Sequence, residues 1–169
     1  IDRIEAIGVL VMVSGIVGSN THRVLDPQEF RGLALADPIA PLIFVNGADT
    51  KAAQIFTMIH ELAHIWLGES ALSDAAMKAQ HGQEHELWCN RVAAEVLVPK
   101  TLLRSDYRGE PTTSELERLA GRYRVSTLVV LKQLLTARLV SWDDFERRYD
   151  QELDRLKEIL AARRGDTAG

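Results

Sequence analysis

The segment from Phe56 to Trp66 sets three ionisable side chains, His60, Glu61 and His64, in a run of Phe56, Ile59, Leu62, Ala63, Ile65 and Trp66. An apolar run of helical period is a helix buried on most sides, so these polar groups must lie in a half-buried cleft. Buried polar groups need partners, and a metal ion is one that two imidazoles can share. Four residues make about one helical turn, so His60 and His64 project from one face. Glu61 lies about 100° round from His60. From there its carboxylate can reach a metal-bound water without being a ligand. His60-Glu61-Leu62-Ala63-His64 therefore reads as an HExxH motif. The bland alternative is a helix with two surface histidines and a solvated glutamate.

The surrounding chain changes character at this helix. The first 46 residues are rich in short strand-like runs, at Gly8–Val13, Ile16–Val17, Phe30–Leu35 and Pro41–Asn46, with Asn46-Gly47 closing the last. Asp49 or Thr50 can cap the motif helix, and Gly68 can end it. A polar stretch, Glu69–Gln83, precedes a second helix over Glu84–Val98 that Pro99 ends. Thr113 can cap a helix over Ser114–Tyr123, Ser126 one over Thr127–Ala137, and Ser141 a last amphipathic helix bearing Trp142, Phe145, Tyr149, Leu153, Leu156 and Leu160. The tail 166–169 is expected to be disordered. The expected fold is α+β: a zincin-like core of small β-sheet plus HExxH helix over residues 1–110, with a helical region over 111–169 packed on it.

Composition removes several function classes. A formal net charge of -4 argues against a broad basic surface for nucleic acid. The longest apolar run, Ile7–Val17, is interrupted by Ser14 and Gly15 and is too short to span a bilayer. It also lacks the features of a signal peptide. One cysteine, Cys89, allows no internal disulfide, and a reducing, cytoplasmic setting is the simpler reading. The chain opens on Ile1 and enters an apolar segment almost at once, which is the look of an excerpt from a longer protein.

A catalytic zinc needs a third protein ligand and an open position. The downstream candidates are Glu69, Asp74, His81, Glu84, His85, Glu86, Cys89 and Glu95. Metzincin spacing would need glycine and histidine where Leu67 and Ser70 stand, so that class is excluded. Periodicity does not rank Glu86 above Glu84 or His85.

Phe56-Thr57-Met58-Ile59-His60-Glu61-Leu62-Ala63-His64 resembles the corresponding block of the ImmA/IrrE metallopeptidases. A second block, Glu86-Leu87-Trp88-Cys89-Asn90-Arg91-Val92-Ala93-Ala94 with its Leu97-Val98-Pro99 ending, resembles the family too, with Val98 where the family has methionine. Arg31-Gly32 and Ile43-Phe44-Val45-Asn46 fit the same order upstream. Two spaced motifs in order are far more specific than HExxH alone. The resemblance implies Zn2+ held by His60, His64 and Glu86, with Glu61 catalytic and Asn90 supporting the site. It implies an endopeptidase that cleaves a DNA-binding repressor or antitoxin after stress, or as part of a toxin-antitoxin or mobile-element system. It also implies an N-terminal helix-turn-helix domain in some members. The rival class is a non-proteolytic, metal-bound regulator that controls a transcription factor by contact.

Other features are read more plainly. Leu119–Ser126 followed by Val129 and Leu131 has a helix-turn-helix look, but the second helix is apolar nearly all round and reads as a packed pair, not a reader of bases. Direct DNA binding by this segment is therefore not expected. Cys89 reads as a small core residue, and Trp66, Trp88 and Trp142 as core or cleft wall. His22 and His81 read as surface residues. Tyr107 and Arg108 sit in a loop that could steady an oxyanion, with a plain surface loop as the favoured reading.

Overall fold

The structure, a computed structural model, describes residues 1–18, 20–73 and 83–166. The chain is α+β and divides into two compact units between Leu97 and Val98. The boundary expected from the sequence stands at residue 110.

The first unit opens with a short helix α1 (Asp2–Glu5), then β1 (Leu10–Ser14), β2 (Ile16–Val17), β3 (Asn20–Val24), β4 (Gly32–Leu35) and β5 (Leu42–Asn46). The motif helix α2 (Lys51–Leu67), β6 (Ala71–Ser73) and α3 (Gln83–Leu97) complete it. The main sheet has the order β1-β5-β4-β6, and β2 and β3 form a separate two-stranded ribbon. β1 runs parallel to β5, with Val11 opposite Ile43 and Val13 opposite Val45. β4 runs antiparallel to both β5 and β6, with Gly32 opposite Val45 and Ser73. Side chains alternate across a strand, so Ala34, Ile43 and Val45 share the buried face while Leu35 stays exposed. Ile4, Val9, Ile43, Val45 and Leu62 form the core, with Met58, Ile59 and Ile65 of α2 packed on it.

The start and stop of α2 follow from local chemistry. Thr50, of the two capping candidates, takes the N-cap and accepts from the Ala53 N–H at 3.3 Å. At the other end Gly68 adopts φ 71°, a left-handed conformation natural to glycine, and its N–H closes on the last carbonyls. Asn46, fully buried at the end of β5, donates to the carbonyls of Phe30 and Leu25 and accepts from the Ala48 N–H. It ties the loop entering β4 to the loop entering α2.

The second unit is helical: α4 (Lys100–Asp106), α5 (Thr113–Tyr123), α6 (Thr127–Thr136) and α7 (Trp142–Asp166). Leu103, Leu116, Leu119, Val130, Leu131 and Leu134 are buried in it. The α5–α6 pair is packed, as its apolar sequence required. Glu115, buried on α5, accepts from the Arg108 N–H at 3.1 Å and holds the Arg118 guanidinium through both oxygens at 2.7 Å. Arg155 of α7 joins Glu152 and Glu117, linking α7 to α5.

Local readings change at several points. The cap of α5 is Thr112, whose hydroxyl accepts from Glu115 N–H, and Thr113 is the first helical residue. Residues 100–106, given no element by the sequence pattern, form α4, with Pro99 at its N-cap, where its missing N–H costs nothing. The exposed ribbon strand β3 and the three-residue β6 carry no clear apolar alternation and were not anticipated. The tail expected to be disordered falls outside the described residues after Asp166. Among the described residues no helix is long and apolar enough to cross a membrane.

Candidate metal centre

α2 packs against β4 and β5 on one side and against α3 on another. This sandwiching buries the motif: His60 and His64 are nearly inaccessible and Glu61 is fully buried. The two imidazoles, one turn apart, bring their Nε2 atoms to 3.1 Å. Glu86, in the first turn of α3, places its carboxylate across the pair, with Oε2 3.2 Å from His60 Nε2 and Oε1 3.0 Å from His64 Nε2. One donor atom from each of the three residues lies within 4.8 Å of the others.

The donor set fits a divalent cation. Two donors bound at about 2.0–2.2 Å on a tetrahedral zinc lie about 3.3–3.5 Å apart. The His60–His64 Nε2 separation of 3.1 Å is close to that edge length, and each imidazole faces its own Glu86 oxygen, Oε2 at 3.2 Å from His60 and Oε1 at 3.0 Å from His64. Two neutral imidazoles and one carboxylate are also the ligand types zinc takes. Burial holds the His60 imidazole below its ordinary range. The nearby Glu86 charge opposes this, His64 adds to the lowering, and the Asn90 and Glu86 side chains favour the protonated form. A neutral imidazole is the form that binds metal.

The other candidate ligands stand elsewhere. Glu69 pairs with His85, Oε2 to Nδ1 at 2.9 Å, across the α2 and α3 ends. Cys89 is buried, and burial together with the Glu86, Glu61 and Glu69 charges pushes its thiol up to about 12. It is a neutral core thiol, as its apolar setting suggested. Glu84 and Glu95 are not in the cluster, which among the described residues comprises His60, His64 and Glu86. Asp74 and His81 lie outside the described residues. Tyr107 is the C-cap of α4, and Arg108 spends its backbone N–H on Glu115.

Gly32 carries no motif that marks it for a chemical role. It lies in β4 against α2, and a Cβ at this position would meet Glu61 Oε1 at 2.8 Å. The available signal was a glycine inside a strand-like run, a common mark of close approach by another group.

Residues 4–135 match the family described as the IrrE N-terminal-like domain, a peptidase family. The chain belongs to this family. The match spans both motif helices and runs into α6. The chain is also similar to the radiation response metalloprotease IrrE of Deinococcus radiodurans, at 31% identity over 138 residues. That similarity covers 72% of this chain and 42% of the relative's length. Membership in this metallopeptidase family implies a metal, and among the described residues His60, His64 and Glu86 form a group that could hold one.

Proposed function

We propose that this protein is a zinc-dependent endopeptidase in which His60, His64 and Glu86 hold the ion and Glu61 is the general base. The observation that carries the reading is the convergence of two buried imidazole nitrogens and a carboxylate from the next helix, with Glu61 buried on the same helix. When bound, zinc supplies Lewis acidity, polarising the peptide carbonyl and lowering the pKa of a water to near 7. Glu61 takes the proton of the attacking water and later delivers it to the departing amine nitrogen. Burial strengthens its electrostatic influence, because little solvent screens it. His60 and His64, fixed on one rigid helix, set the direction from which the carbonyl must approach.

The substrate we propose is a DNA-binding repressor or antitoxin, cut in the cytoplasm in response to stress. The resemblance to the ImmA/IrrE peptidases supports the substrate class, and the name of the Deinococcus relative, a radiation response metalloprotease, supports the stress setting. The test mixes the zinc-loaded protein with purified DNA-binding regulators of its own organism, starting with any encoded near it, and follows each regulator by mass spectrometry. Cleavage by the native protein, with none by Glu61→Gln at equal zinc content, is the expected outcome. A regulator that is bound but left intact by the native protein would replace the peptidase with a contact regulator. Cleavage by Glu61→Gln at the native rate would remove Glu61 as base.

A further inference from the structure

Gly32 occupies a costly place for a glycine. It lies inside the sheet, opposite Val45 on one side and Ser73 on the other, and a strand-interior glycine packs no side chain and weakens its strand. Its φ lies outside the left-handed region, so the backbone would accept a side chain. Space is what forbids one. A Cβ at this position would lie 2.5 Å from Thr57 Cγ2, 2.8 Å from Glu61 Oε1 and 3.1 Å from the Phe44 carbonyl oxygen. Thr57 and Glu61 are four residues apart, so they share one face of α2. That face lies over β4 where the strand has no side chain.

We propose that Gly32 is a positioning residue: by lacking a side chain it forms the seat that holds the Glu61 carboxylate in its working orientation. The proposal rests on the assignment of Glu61 as general base. With a methyl group at 32, three neighbours could yield. The Phe44 carbonyl belongs to the paired strand and is fixed by the ladder. Thr57 is β-branched, stiff at χ1 and buried. The Glu61 carboxylate ends a flexible side chain, so it moves most readily. None of the three atoms nearest that Cβ belongs to His60, His64 or Glu86. Base position and metal binding are therefore separable.

The variants are Gly32→Ala, Thr57→Ser and the pair together, since removing the Thr57 methyl relieves the 2.5 Å contact while the 2.8 Å contact with Glu61 remains. Zinc affinity is read by competition with a chromophoric chelator, folding by urea titration, and cleavage on fluorescein-labelled casein. The carboxylate position is read directly from crystal structures of the zinc-loaded native protein and double variant. The double variant should fold and bind zinc as the native protein does. Its Glu61 carboxylate should be displaced by more than about 0.5 Å, and its kcat should fall on the order of 100-fold with KM unchanged. Thr57→Ser alone should cleave normally. An undisplaced carboxylate in the double variant overturns the proposal, whatever the rates. Native rates in the double variant, with Glu61→Gln inactive, overturn Gly32's role alone. Native rates in Glu61→Gln overturn the base assignment instead.

Discussion

Removing one of the three converging donors should uncouple folding from zinc, and the effect can be sized. A ligand that binds only the folded form at a hundred times its dissociation constant adds about 2.7 kcal/mol of stability. His60, His64 and Glu86 all lie in the unit Ile1–Leu97. For a chain of 169 residues each kcal/mol moves the unfolding midpoint by about 2–4 °C, so the zinc-dependent rise should be about 5–11 °C. The unfolded chain offers the same side chains as a loose ligand set, which places the result toward the lower figure. Glu86→Gln removes the charge that faces both Nε2 atoms at 3.2 and 3.0 Å, leaving two neutral imidazoles and a weak amide donor. His60→Ala and His64→Ala each leave one imidazole. All three variants should lose most of the rise, whereas Glu61→Gln should keep it. The assay is differential scanning calorimetry with and without zinc, alongside metal content by atomic absorption. A full rise in Glu86→Gln, or its loss in Glu61→Gln, would refute the division of ligands from base.

Three further outcomes follow from the packing. Glu115→Gln should cost about 1.5–3 kcal/mol, because it breaks charge-assisted hydrogen bonds to Arg118 and the Arg108 N–H, measured by urea titration at neutral pH. The Arg118 hydrogen bond chiefly holds the Glu115 carboxyl below its ordinary range. Its stabilisation is therefore full above the unfolded glutamate value of about 4.3. It fades as pH falls through the lower folded value, so native protein and variant should converge in strong acid, and a gap that persists unchanged there would contradict the assignment. Arg124→Gly should stabilise by about 0.5–1 kcal/mol, since Arg124 caps α5 at φ 56°, where a side chain costs about 1–2 kcal/mol and glycine's extra unfolded freedom returns about half; a lowered urea midpoint would contradict it. Ile43→Ala, at a fully buried core position, should cost about 2–5 kcal/mol, and a loss under 1 kcal/mol would mean that the sheet–α2 core is looser than described.

The sequence by itself determined what depends on neighbours within one helical turn. The spacing of His60, Glu61 and His64, the cap at Ser126 and the left-handed stop at Gly68 are local, and the structure has each as the residue types require. Pro99 shows the limit of local rules. A proline ends one helix or begins another with equal ease, and only the path of the chain after it selects α4. Tertiary structure decided what depends on residues far apart. Glu84, His85 and Glu86 are consecutive, and helical period alone cannot say which one faces the imidazoles. The packing of α3 on α2 turns Glu86 toward His60 and His64 and sends His85 to Glu69. The parallel pairing of β1 with β5, and the Glu61 carboxylate beside Gly32, are likewise contacts between distant segments. A side chain's direction follows from its own turn of helix, but its partner follows from how whole elements bury their apolar faces against one another.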